Sequence, residues 1–125
     1  MTAPSSPPAP ASRAEPLRIV LYGDTVLPNE VRLQRKADFP FTVTRVASQA
    51  SDEDKAAALL GADAVVCLAF DHPARHAPHL RLVQTQSAGV ERVRLDYLPD
   101  QATLCNAFGH TRAIAEYALM TMLMW

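Results

Sequence analysis

The chain has 125 residues, of which 49% are hydrophobic, enough for one domain that buries roughly two thirds of its unfolded surface. Its 12 basic and 13 acidic residues leave a formal net charge of -1, which excludes the basic footprint of a nucleic-acid binder or of a protein drawn to an anionic membrane surface. Two cysteines, Cys67 and Cys105, lie far apart in apolar segments without zinc-type Cys/His spacing, so they are expected to be reduced core residues of a cytoplasmic protein with no metal site.

Residues 1–16 (MTAPSSPPAPASRAEP) hold five of the 10 prolines among Ala and Ser and contain no apolar run of signal-peptide type, so a disordered lead-in is expected there. Leu17 to Gly23 (LRIVLYG) is a short run rich in branched residues and reads as a strand feeding a loop at Gly23-Asp24. Pro28 suits a first helical turn, followed by a polar helix to about Ala37. Phe41 to Ala47 alternates as an edge strand does. Ser51 is an N-cap for a helix through Leu60, with Asp52, Glu53 and Asp54 in the favourable first turn and Gly61 closing it. Ala64 to Phe70 is continuously apolar, as a strand covered on both faces is. Leu80 to Thr85 predicts a fourth strand, Val90 to Leu98 a short helix behind it, and Thr103 to Asn106 a fifth strand.

From Thr111 the chain is rich in Ala, Leu and Met, and no Pro or Gly interrupts it, which predicts a helix. It is too short to cross a bilayer, because about 20 apolar residues are needed and Arg112 and Glu116 lie in its first turns. Beyond Glu116 it has almost no polar face, so burial on several sides by protein outside this sequence is expected, and with it self-association into a homo-oligomer. No membrane and no nucleic-acid partner is expected.

Strands alternating with helices imply an α/β fold: a five-stranded parallel sheet with right-handed crossovers and helices on both faces. The expected strand order is flavodoxin-like, 2-1-3-4-5, and ligands of such sheets gather at the carboxyl ends of the strands. Those ends carry Gly23-Asp24, Phe70-Asp71, Ser87-Ala88-Gly89 and Ala107 to His110, which include three of the four glycines.

In QTQSAGVERV, a strand running through Ser-Ala-Gly-Val into a helix would leave backbone N–H groups free to attract a carboxylate; Gly89 equally reads as a residue that merely permits a tight turn. His110 follows Gly109 at the mouth of the last helix, where an imidazole suits acid–base chemistry or simply a loop. His72, His76 and His79 would share a face of one helix as metal ligands do, but Pro73 and Pro78 break that continuity and favour a solvated loop. Glycines at 23, 61, 89 and 109 cannot make a G-x-G-x-x-G, and neither a P-loop nor a Ser/His/Asp pattern is present.

The stretch from Leu80 to the end, with S-A-G-V after a strand and then Asn106, Gly109, Ile114, Ala115 and Glu116 in the pattern N-x-x-G-x-x-x-x-I-A-E, resembles the D-isomer-specific 2-hydroxyacid dehydrogenase family at the end of its N-terminal substrate-binding segment. The resemblance implies a flavodoxin-like substrate-binding domain over 17–110, and over 111–125 the start of an interdomain helix, with the sequence stopping before a Rossmann domain. It implies an NAD(P)-dependent oxidoreductase acting on a small 2-hydroxy or 2-keto acid, with NAD or NADP held by the missing domain and neither bound by this chain alone, which is then inactive by itself. Ala88, Gly89 and Val90 match the backbone cradle for the substrate carboxylate, and Phe108, Gly109, His110 and Thr111 match the second wall of the cleft. No catalytic or cofactor-binding residue is carried over. The Gly109-His110-Thr111 loop is one residue shorter than in many members and is similar to one branch of the family, which leaves the particular acid open.

The rival reading is a stand-alone flavodoxin-like binding or receiver-type signalling module, prompted by Asp24 after the first strand and Asp71 after the third. A receiver would pair acids after its first strand and place a lysine after its fifth, where this chain has Tyr22-Gly23-Asp24 and Ala107-Phe108-Gly109.

Overall fold

The computed structural model describes residues 15–74 and 77–125. Five strands, β1 (Leu17–Tyr22), β2 (Phe41–Val46), β3 (Ala64–Cys67), β4 (Leu82–Thr85) and β5 (Thr103–Cys105), form one sheet in the order β2-β1-β3-β4-β5. Every pairing is parallel, with Leu17 opposite Phe41, Ile19 opposite Ala64, Ala64 opposite Leu82 and Leu82 opposite Thr103. The flavodoxin-like α/β architecture expected from the alternation is therefore the fold of the chain.

The central strand explains the continuous apolar run. Side chains alternate across a strand, so Val20 and Tyr22 enter one core with Val65, Cys67, Phe70, Leu80 and Val83, while Ile19 and Leu21 enter a second with Val26 and Ala64. Leu21, Val65, Phe70, Leu80 and Val83 are completely buried, and each such side chain contributes about 1.5–3 kcal/mol of hydrophobic stabilisation. Asp63, the residue before β3, is also buried; its carboxylate accepts from the Arg18 backbone N–H at 2.9 Å and from Arg18 Nε at 3.2 Å, which satisfies the charge and ties the start of β3 to β1.

Two helices cover opposite faces. Helix α1 (Asn29–Lys36) follows Pro28 and lays Leu33 on the second core, and α2 (Asp52–Leu60) lays Ala58 and Leu59 on the first. Ser51 caps α2 as its residue type predicts, accepting from the Asp54 N–H at 3.1 Å.

The other two crossovers differ from expectation. The helix expected from Val90 to Leu98 is absent: the segment is irregular, with one short 3-10 turn at Leu95–Tyr97. Its apolar positions are spent differently, because Val93 forms an isolated parallel bridge with Phe70 and is buried beside it, with Phe70 N–H donating to the Arg92 carbonyl and Arg94 N–H to the Phe70 carbonyl, both at 3.0 Å. The strand expected to run to Phe70 likewise stops at Cys67; beyond it Ala69 is exposed, and Phe70 is buried in the core rather than extended in the ladder.

Helix α3 (His110–Leu123) leaves the sheet after β5 and has no buried residue. Ile114, Tyr117, Leu119, Met122 and Leu123 are all more than half exposed, and Trp125 fully so. Among the described residues, no helix is long and apolar enough to cross a membrane.

Candidate functional site

The carboxyl end of β4 turns sharply on its own hydroxyls. Thr85 is completely buried, and its Oγ1 accepts from the Ser87 N–H at 3.1 Å and donates to the Ser87 carbonyl at 2.9 Å. Ser87 Oγ then donates to the Gly89 carbonyl at 2.7 Å. From the end of β5, the Asn106 amide donates to the Ala88 carbonyl at 2.7 Å, and the Ala107 N–H donates to the Ser87 carbonyl at 3.0 Å. The loop's carbonyls are thus occupied from within, while the backbone N–H groups of Ala88, Gly89 and Val90 have no partner among the described residues. Exposed, consecutive and unpaired, these donors form the kind of surface that takes an anion.

Without a helix from Val90, that surface lacks the helix dipole expected to reinforce it. Gly89 is also not in the left-handed region, which among the described residues only Gly23 and Gly109 occupy, so the turn does not require glycine for its backbone angles. The space left by the missing Cβ is taken by the carboxylate of Glu91, an exposed side chain that lies over the loop without a hydrogen-bond partner.

The second group of expected residues follows directly from Asn106. Gly109, at φ 96°, is the N-cap of α3 with nothing within 4 Å of a Cβ built there, and it lets the chain swing from β5 into the helix. Phe108 is 82% exposed, and Gly109, His110 and Thr111 are exposed as well. Asn106 brings the start of this segment against Ala88, but none of Phe108 to Thr111 bonds to the Ala88 to Val90 loop, and His110 has no orienting partner among the described residues.

A further arrangement sits where the strand order reverses, between the ends of β1 and β3. Tyr22, the last residue of β1, is buried and donates its hydroxyl to Asp71 Oδ1 at 2.8 Å. The phenol lies against Phe70 with ring centroids 5.2 Å apart, and Lys55 Nζ stands over the ring, 5.9 Å from its centroid. Burial first, then the hydrogen bond to Asp71 and its negative charge, push the Tyr22 hydroxyl far above the usual phenol range, so it stays a donor at all physiological pH. The pair borders a crevice of about 180 Å³ whose other walls include Gly23, Thr25 and Ser48. The rim is fixed by a reciprocal pair of bonds, Asp24 N–H to Ser48 Oγ and Ser48 N–H to Asp24 Oδ1, both at 3.2 Å. Gln86 links this crevice to the β4 loop: its side-chain amide reaches the Thr25 carbonyl at 3.5 Å, and its Oε1 accepts from Asn29 at 2.9 Å. The sequence offers Asp71 only as a strand-end acid, paired with Asp24 in the receiver-type reading; Tyr22 is 49 residues away, and only the β1–β3 register, Tyr22 opposite Cys67, brings it to Asp71.

A larger hollow, about 690 Å³, lies beside the edge strand between β2 and α2. None of the residues expected to bind a ligand lines it, and the arginines on its wall are engaged, Arg18 with Asp63 at 3.2 Å and Arg45 with Glu30 at 2.6 Å. Of the three neighbouring histidines, His72 and His79 are among the described residues. His72 Nδ1 lies 3.8 Å from Asp52 Oδ1, His76 is outside the described residues, and no cluster of three metal-ligating side chains occurs among the described ones.

No protein-family model, curated protein or solved structure matches the chain.

Proposed function

We propose that this chain is the substrate-binding segment of an NAD(P)-dependent D-2-hydroxyacid dehydrogenase, and that the loop from Ala88 to Val90 binds the carboxylate of a small 2-hydroxy or 2-oxo acid. The observation that carries the reading is the division of labour in that loop: the carbonyls of Ala88 and Gly89 are capped by Asn106 and Ser87, and three successive N–H groups remain free for an anion. Asn106 thereby links S-A-G-V to N-x-x-G, the two motifs that carry the family resemblance. Phe108 to Thr111 supply the opposite wall when the cleft closes on its substrate.

The residues present do not fit a dinucleotide. The four glycines are dispersed at 23, 61, 89 and 109, and none opens a helix after a strand in G-x-G-x-x-G form. NAD or NADP therefore belongs to a separate cofactor domain, and α3, whose apolar surface rests on nothing here, is the element that packs against it.

The test is an NMR titration of the chain with oxamate, an unreactive analogue of a 2-oxo acid. Shifts confined to the amides of Ala88, Gly89 and Val90 and of residues 106–111 support the reading; no saturable shift there at millimolar oxamate would refute it.

A further inference from the structure

The crevice at the β1–β3 junction and the loop after β4 open on the same edge of the sheet, and Gln86 spans the ground between them, its amide reaching Thr25 on the crevice wall. We propose that Asp71 is a specificity-determining residue: the crevice takes the far end of the acid, and that end carries a hydrogen-bond donor, an ammonium or a hydroxyl group. The inference rests on the assignment of the carboxylate to Ala88–Val90 and adds what lies at the other end of the molecule.

The chemistry of the walls decides the class. Asp71 Oδ1 is already satisfied by the Tyr22 hydroxyl, which burial holds in its protonated, donating form, while Oδ2 accepts from none of the described residues. The other polar side chains among the residues lining the crevice are the hydroxyls of Thr25 and Ser48. A carboxylate oxygen wanting a donor, set among hydroxyls that can both give and accept, suits a donor on the ligand and disfavours a second anion such as a phosphate or a carboxylate. An apolar tail entering the crevice would strip water from Asp71 without replacing its hydrogen bonds.

Strand spacing sets the length. From the middle of the β1–β3 junction to β4 is one and a half spacings, about 7 Å at about 4.8 Å each. An extended chain covers about 3.5 Å in three bonds, so about six bonds separate the acid carbon from the donor atom. A 2-hydroxy acid with a six-carbon chain and a terminal amino group has that span; the terminal hydroxyl analogue is its neutral counterpart.

The experiment compares three ligands on the whole chain by NMR titration: 6-amino-2-hydroxyhexanoate, 2,6-dihydroxyhexanoate and 2-hydroxyheptanoate, which replaces the donor by a methyl group. The amino or the dihydroxy acid, or both, is expected to bind at least tenfold more tightly than the heptanoate, with shifts at both Gly89 and Asp71, and the order of the two tells whether charge adds to hydrogen bonding. Asp71→Ala, at an exposed position, is expected to abolish that preference, weakening the amino and dihydroxy acids while the heptanoate gains affinity because its tail no longer desolvates a carboxylate, and Tyr22→Phe to reduce it while the crevice keeps its shape. Equal affinity of all three ligands for the native chain, or a preference that survives Asp71→Ala, would overturn the inference while leaving the carboxylate assignment standing. Absence of shifts at Ala88–Val90 with every ligand would instead sink the carboxylate assignment, and the inference with it.

Discussion

The Asn106 side chain donates to the carbonyl of Ala88 at 2.7 Å, joining the loop after β4 to the loop after β5 across a separation of 18 residues. This one bond leaves the Ala88 carbonyl unavailable and holds the loop in the arrangement whose N–H groups face outward unpaired. Replacing Asn106 by Ala removes a neutral hydrogen bond worth about 0.5–1.5 kcal/mol. Because the strands themselves are untouched, oxamate affinity is expected to fall up to about tenfold, with a thermal midpoint lowered by only a few degrees. Titration and melting of the same variant check this, and unchanged affinity would contradict it.

Glu91 yields a prediction of opposite sign. Its carboxylate lies over Gly89, where the substrate anion is assigned, and it has no bond to lose by leaving. Two like charges a few ångströms apart near a protein surface repel by roughly 1 kcal/mol or more. Glu91→Gln is therefore expected to tighten oxamate binding about fivefold, with the gain shrinking as salt is added. A loss of affinity in this variant would show that Glu91 supports the site rather than competing with its ligand.

Above neutral pH, two buried donors set the stability. Burial pushes the Cys67 thiol from an ordinary value of 9.0 up to about 12, and burial with the Asp71 bond raises the Tyr22 phenol from 10.0. Both groups have folded values above their unfolded ones, so the stability they contribute is complete below pH 9 and lost as pH rises toward the folded values. From pH 9 to 12 the thiol alone costs about 1.4 kcal/mol per pH unit, and Tyr22 steepens the fall above pH 10. Thermal midpoints between pH 8 and 11.5 are expected to drop along this curve, less steeply in Cys67→Ala and in Tyr22→Phe. For the same reason Cys67 is expected to resist iodoacetamide in the folded chain, and Cys105, half-buried at the end of β5, to react first.

Helix α3 supplies a third kind of test. Met122 and Leu123 are 74% and 79% exposed and pack on nothing in the structure. Changing both to Lys is expected to alter stability by no more than about 0.5 kcal/mol per site while abolishing the concentration-dependent self-association that such an apolar surface promotes. Light scattering over a concentration series measures it; self-association undiminished by the double substitution would place the adhesive surface elsewhere.

Much of this architecture is written locally. The branched run at 17–22, the Ser51 cap with Gly61 closing the helix, and the alternation of β2 all appear as read, because each depends on residues adjacent in sequence. Val90 to Leu98 misled because Val90, Val93 and Leu98 have the spacing of a helical stripe, whereas the structure uses Val93 to pair with Phe70, a partner 23 positions back that no local pattern announces. The candidate site divides the same way. The S-A-G-V loop and the residues after β5 were legible as motifs, but the side-chain bonds that cap the loop, and the pairing of Tyr22 with Asp71, depend on strand register.

The carboxylate assignment stands or falls most directly on Gly89→Val, with melting and oxamate titration performed on the same preparation. Gly89 has ordinary backbone angles, and the nearest atoms to a new Cβ belong to the far end of the flexible, exposed Glu91 side chain, so the fold is expected to lose about 1 kcal/mol or less. A branched side chain over the free N–H groups would nonetheless occupy the space an anion needs, and oxamate affinity is expected to fall tenfold or more. A variant that melts like the native chain but no longer shifts at Ala88 and Val90 on titration is the predicted result; one that binds oxamate with native affinity would contradict the account and remove Ala88, Gly89 and Val90 from the site.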